Sequence, residues 1–147
     1  MYKQLLVPVD GSELSDRAMH ASVALARQLG AAITGFVAEP MQPARSDARP
    51  HSMWADEVKE HDALTAAHAH QVLSKFEASA REAGVPFNGF HDQVPRVDAA
   101  IIKAAESQGC DMIVMVTHGR GAFGEFLFSS HTKAVLAGSQ LPLLVLH

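Results

Sequence analysis

The chain opens on a short continuous apolar run, Leu5-Leu6-Val7-Pro8-Val9, closed by Asp10-Gly11-Ser12. A run of this length bounded by turn residues reads as a strand buried on both faces. From Ser12 the spacing becomes helical: Leu14, Ala18, Ser22, Leu25, Ala26 and Leu29 share one side, and Gly30 is the stop. Ser12 fits an N-cap, while Ser15 at the third helical position does not complete a capping box. Ala31 to Glu39 returns to strand character through Ile33, Phe36 and Val37. A helix between two strands predicts a right-handed crossover and hence a parallel sheet.

Pro40 to Pro50 carries three prolines among polar residues and predicts a loop suited to act as a lid. Ala55 to Ala83 is rich in helix formers, offers Val58, Leu64, Val72, Leu73, Phe76 and Ala80 to a sheet, and ends at Gly84. Val85 to His91 predicts a weaker strand, interrupted by Pro86 and Gly89, which suits a sheet edge. Val97 to Gln108 predicts a helix stopped by Gly109, and Met112-Ile113-Val114-Met115-Val116 gives the strongest central-strand signal. The loop Thr117 to Ser129 leads to a helix from Ser130 to Ala137, and Leu141-Pro142-Leu143-Leu144-Val145-Leu146 is the last strand. Five strands alternating with four helices predict a doubly wound α/β sheet, in which ligands bind outside strand carboxyl ends where the winding reverses. Two turns are thereby favoured, one at Asp10-Gly11-Ser12 and one from Thr117 to Ser130.

A chain of 147 residues is the size of one ordinary domain, so residues 1–147 are expected to form a single unit. Twelve Lys plus Arg against 16 Asp plus Glu leave no electrostatic footprint for a nucleic acid partner. Cys110 is the only cysteine, lies in an apolar run and fits a reducing compartment. No apolar run approaches the roughly 18 residues of a membrane span, so a cytoplasmic protein without a membrane partner is expected. Nine histidines raise the question of a metal. His61 and His68 lie close to one helix face while His70 lies off it, and no HExxH or Cys/His pattern appears, so no metal site is assigned. These helix histidines read as solvated residues.

Gly119-Arg120-Gly121-Ala122-Phe123-Gly124 matches G-x-G-x-x-G, but not in the context of a dinucleotide fingerprint. That fingerprint belongs to a first strand-helix turn and wants an acid about 20 positions on; here the helix starts near Ser130 and the last strand holds no acid. No glycine precedes Lys-Ser or Lys-Thr, which excludes a P-loop. A flexible glycine loop entering a helix remains, where free N–H groups and the dipole favour an anion. Arg120, Ser129, Ser130 and Thr132 would add donors, and His118 and His131 flank the loop and would contact phosphate when protonated. Turn glycines with Ser130 as a simple N-cap explain the same residues equally well.

Leu6-Val7-Pro8-Val9-Asp10-Gly11-Ser12, Asp111-Met112-Ile113-Val114-Met115 with Thr117-His118-Gly119-Arg120-Gly121, and Leu141-Pro142-Leu143-Leu144-Val145 together resemble the universal stress protein family over essentially the whole chain. The resemblance implies an adenine-nucleotide alpha-hydrolase-like fold with strand order 3-2-1-4-5 and a homodimer formed through the last strand. In one branch of the family it implies ATP or AMP as a regulatory ligand at the two turns, with magnesium accompanying ATP. The residues carried over are Pro8, Val9 and Asp10, with Asp10 bonding ribose or adenine, Val37 and Met115 lining the base, and Val116, His118, Gly119, Arg120, Ser129 and Ser130 around the phosphates, to which His131 is added by its position alone. That branch carries G-x-x-G, nine residues, then G-[ST]; Val116 and Ser129 stand at its first and third glycines, whereas Gly119 and Ser130 keep the pattern. A nucleotide-binding stress-response protein and a dimeric interaction protein with a degenerate loop and an unknown protein partner therefore both stand. Catalysis finds little support: the loop lacks lysine, only Asp10 and Glu125 are nearby carboxylates, and no G-x-S-x-G elbow exists for Ser129 or Ser130 with His118. At most slow ATP hydrolysis is expected.

Overall fold

A computed structural model describes residues 1–41, 51–116 and 130–147. Almost all of the proposed lid and the loop Thr117 to Ser129 lie outside the described residues. The elements are β1 (Gln4–Pro8), α1 (Glu13–Leu29), β2 (Ala32–Pro40), α2 (His51–Glu82), β3 (Phe87–Val94), α3 (Val97–Ser107), β4 (Met112–Val116), α4 (Ser130–Gly138) and β5 (Leu143–Leu146). The five strands form one sheet in the order β3-β2-β1-β4-β5, with every neighbouring pair parallel.

Strand alternation sorts the core into two clusters. Leu5, Val7, Ile33, Val37 and Val114 pack with Met19, Val23, Val72 and Phe76 on the face covered by α1 and α2. Leu6, Phe36, Ile113 and Met115 pack with Ile101, Ala105 and Val135 on the face covered by α3 and α4. Leu5, Leu6 and Val7 are each fully buried, so β1 has no free face, as its continuous apolar run predicts. Cys110 is buried in the second cluster, where burial pushes its thiol above the ordinary value and Thr34 opposes the rise by a hydrogen bond. It behaves as a small hydrophobe.

Local signals set most boundaries. Ser12 Oγ caps α1 by accepting from Ser15 N at 3.3 Å, and Gly30 closes the helix with φ 63°. The edge strand β3 runs further than the expected Val85 to His91. Pro86 lacks an N–H but its carbonyl accepts from Ile33 N at 2.9 Å, so pairing begins at the proline instead of breaking there. Gly89 sits opposite Gly35, and the Phe87 ring fills the space that side chains would occupy. A Cβ on Gly35 would lie 2.7 Å from Phe87 Cζ and 3.1 Å from Phe76 Cδ1, and these two rings pack at a centroid distance of 4.9 Å. Gly89, read from the sequence as an interruption, pairs with Gly35 at the seat of an aromatic cluster. Helix α2 begins at His51 rather than near Ala55, and β5 starts at Leu143 because Pro142 can offer only its carbonyl, taken by Ile113 N at 2.9 Å. Among the described residues no helix is long and apolar enough to cross a membrane.

Gly35→Ala is expected to overpack this cluster and destabilise the protein by ~1–3 kcal/mol, read as a lower urea midpoint at unchanged slope. An unchanged midpoint would show that the Phe87 ring moves aside freely.

Candidate functional site

The winding reverses at β1, whose neighbours β2 and β4 are reached by crossovers on opposite faces. At that point the strand ends, α1, α3 and α4 surround a cleft of about 350 Å³. Its walls include Pro8, Val9 and Asp10 after β1, Ala38 on β2, Val97 and Ile101 on α3, Met115 and Val116 on β4, and His131 on α4.

Asp10 lies where the sheet ladder stops, Val9 N being the last donor of this strand to reach β2, at 2.9 Å from Phe36 O. The backbone groups beyond it need other partners. Ser15, buried in the first turn of α1, supplies them: its Oγ accepts from Asp10 N at 2.6 Å and Gly11 N at 3.1 Å, and donates to Asp10 Oδ1 at 2.7 Å. Ser12 N donates to the same carboxylate oxygen at 3.0 Å. Burial alone would raise the Asp10 carboxyl, but the hydrogen bonds from Ser12 and Ser15 outweigh it and hold the pKa below the ordinary 3.8. Asp10 is therefore ionised at neutral pH. An exposed, prebonded carboxylate at the mouth of an apolar cleft suits ligand hydroxyl or amine donors.

Six of the candidate site residues from the sequence line this cleft: Pro8, Val9, Asp10, Met115 and Val116 from the resemblance, and His131 from its position. Ser130 begins α4 beside His131, so the positive end of the α4 dipole borders the cleft. His118, Gly119, Arg120 and Ser129 lie outside the described residues. Val37 is placed differently from its carried-over role: it is buried in the α1 and α2 cluster, and its neighbour Ala38 faces the cleft. Alternation gives the reason, since Phe36 shares the α3 side with Leu6 and the next residue must point away. The lining residues that sequence reasoning missed include Ser15, Ala38, Val97 and Ile101. Strand parity would have found Ala38; nothing in the spacing flags Ser15 as the partner of Asp10. Val116 half-buries itself against the α1 side while bordering the cleft.

The histidines of α2 have partners that the solvated reading did not foresee. His68 Nε2 lies 3.0 Å from the Asp10 carbonyl, and His70 packs edge-on against His91, which pairs with the buried Glu39 carboxylate. Among the described residues no group of three His, Cys, Asp or Glu side chains is arranged to hold a metal. A second cavity of about 370 Å³ lies between β3 and α3, over Phe36 and Phe90. It is slightly larger, but it lies off the reversal point and lacks a comparable hydrogen-bonded carboxylate, so we place the functional site in the first.

A doubly wound parallel sheet with a largely apolar cleft bearing a carboxylate at its reversal point defines a class of α/β proteins that hold small molecules at strand carboxyl ends. The model of the universal stress protein family matches residues 1–147, and the chain belongs to that family. A universal stress protein of Methanocaldococcus jannaschii is 26% identical over 146 residues, covering 99% of this chain and 82% of the relative. A universal stress protein solved in complex with cAMP superposes with a TM-score of 0.72 at 22% identity, covering 99% of this chain and 97% of that one. A universal stress protein family member of Arabidopsis thaliana with AMP bound gives 0.67 at 13% identity, over 98% and 90%. The fold is the adenine-nucleotide alpha-hydrolase-like one that the resemblance implies.

Ser15→Ala removes one donor from the Asp10 carboxylate, so its carboxyl carbon should titrate at a higher pH by NMR than in the unaltered protein. Because the folded pKa is depressed, Asp10 contributes stability that is complete above 3.8 and is lost as pH falls through the folded value. The variant should lose part of that contribution at neutral pH and keep its deficit smaller in acid. An unmoved titration would mean that Ser15 is not a working donor.

Proposed function

We propose that this chain is a stress-response protein of the universal stress type that binds an adenine nucleotide, ATP or AMP, in the Asp10 cleft as a regulatory ligand. The observation that carries the reading is the ionised Asp10 carboxylate, held by Ser12 and Ser15 at one end of a largely apolar cleft. Such a carboxylate accepts from ribose hydroxyls and repels phosphate. The sugar therefore belongs at Asp10 and the phosphates at the amino end of α4, with Ser130 and His131. Apolar walls from Ala38, Ile101 and Met115 suit the base. Two solved relatives carry AMP or cAMP, which supports the ligand class. When ATP is the ligand, magnesium would accompany it on the phosphates. Nothing here calls for turnover. Strand β5 is a sheet edge of four half-buried apolar residues, and a second copy pairing there would give the homodimer.

Val116 favours a second reading of the same fold. It brings a Cβ and two methyls to the cleft where the nucleotide-binding branch has glycine, and a chain that lost its ligand this way would act as a dimeric interaction protein.

Calorimetry of nucleotide-free protein with AMP, and with ATP plus magnesium, separates the two. The expected result is saturable binding that Ala38→Trp, which fills the cleft, weakens by on the order of 10-fold or more. No heat at millimolar nucleotide, with none released on denaturing the purified protein, would leave the interaction protein.

A further inference from the structure

The α2 helix reaches the ligand turn through a single face. His68, Val72 and Lys75 follow helical spacing, and each meets the β1–α1 unit at a different point. His68 Nε2 is 3.0 Å from Asp10 O, Val72 Cγ2 would be 2.9 Å from a Cβ on Gly11, and Lys75 Nζ is 2.7 Å from Asp16 Oδ1. The first contact bears most directly on the site. Asp10 O lies past the end of the strand ladder, and among the described residues its side-chain partner is this imidazole. A carbonyl oxygen can only accept, so the His68 Nε2 must carry the proton.

Gly11 makes the approach possible. Its φ of 85° is a left-handed conformation, and a Cβ there would sit 2.9 Å from His68 Cε1. A side chain at Gly11 would thus both strain the turn and displace the imidazole. The turn that presents the Asp10 carboxylate is clamped from two sides, by Ser15 below from its own helix and by His68 from α2.

We propose that His68 is a positioning residue for the ligand-binding turn: its Nε2–H bond to Asp10 O fixes the peptide from which the Asp10 carboxylate projects, and so ties nucleotide affinity to the seating of α2. The affinity consequence rests on the nucleotide reading above; the bond itself does not. An α2 that tilts or slides by the length of this bond releases Asp10 from its prebonded geometry, which makes the contact a route by which anything binding the exposed side of α2 would alter the cleft.

Two variants and one measurement on the unaltered protein test this. His68→Leu keeps an apolar side chain of similar size without the donor, and His68→Gln restores an amide donor at comparable reach. His68→Leu is expected to weaken AMP binding about 5-fold and to speed amide exchange at Gly11 and Ser12, with the urea midpoint nearly unmoved, and His68→Gln should recover affinity to within about 2-fold. Equal loss in both variants, or no change in either, would overturn the assignment. In the unaltered protein, ¹⁵N–¹H correlation of the imidazole should show His68 protonated at Nε2 at neutral pH; a neutral Nδ1–H tautomer would overturn the bond even if both variants failed to fold. If the unaltered protein binds no AMP, the nucleotide reading falls, while the exchange and tautomer results still decide the role of His68.

Discussion

The polar backbone at the carboxyl end of β1 must be satisfied after the sheet can no longer do it, and the geometry of the site follows from how this is done. Leu5, Leu6 and Val7 are sealed on both faces, so the chain can only leave at the strand end, between the α1 and α3 layers. Unpaired N–H groups in that part-buried position would each cost on the order of 1–3 kcal/mol, whereas the Asp10 carbonyl lies at the exposed edge. Ser15 Oγ takes the N–H groups of Asp10 and Gly11, and His68 takes the Asp10 carbonyl. What secures the fold at this point also leaves one carboxylate oxygen facing the cleft.

The two faces of the sheet then divide the work. Residues of β1, β2 and β4 that point to α3 and α4 supply the apolar walls, with Ile101 and Met115 closing the far side. Those that point to α1 and α2 build the larger core and hold the turn through Val72 and His68. Charge divides along the same axis, because the carboxylate end of the cleft favours hydroxyl donors and the α4 end, with the positive end of its dipole, favours anions. A ligand with a sugar at one end and phosphate at the other fits this polarity in one direction only.

Much of this was legible in the sequence. The continuous apolar runs identified β1 and β4, helical spacing with Ser12 and Gly30 bounded α1, and the alternation of elements gave the parallel sheet and its reversal point. The edge position of β3 was read correctly, but details were less legible where one residue's local preference was overruled by a distant partner. Pro86 and Gly89 looked like interruptions of β3, yet a proline carbonyl can still accept, and the Phe87 ring covers the glycines. Strand parity was also not used for β2: the Val37 side chain packs in the α1 and α2 cluster, and Ala38 borders the cleft. Ser15 was invisible as a site residue because its role depends on the turn folding back over the start of α1, and His68 because its role depends on where that turn and a helix 58 positions away meet in space.

The most direct test is chemical-shift mapping of AMP on the ¹⁵N-labelled protein. The account predicts that shifts concentrate on Asp10, Gly11, Ser12, Ser15, Ala38, Met115, Val116, Ser130 and His131, the residues around the reversal point of the sheet. Shifts confined to Phe90, Arg96 and Lys103 beside the second cavity, with the Asp10 turn silent, would contradict it.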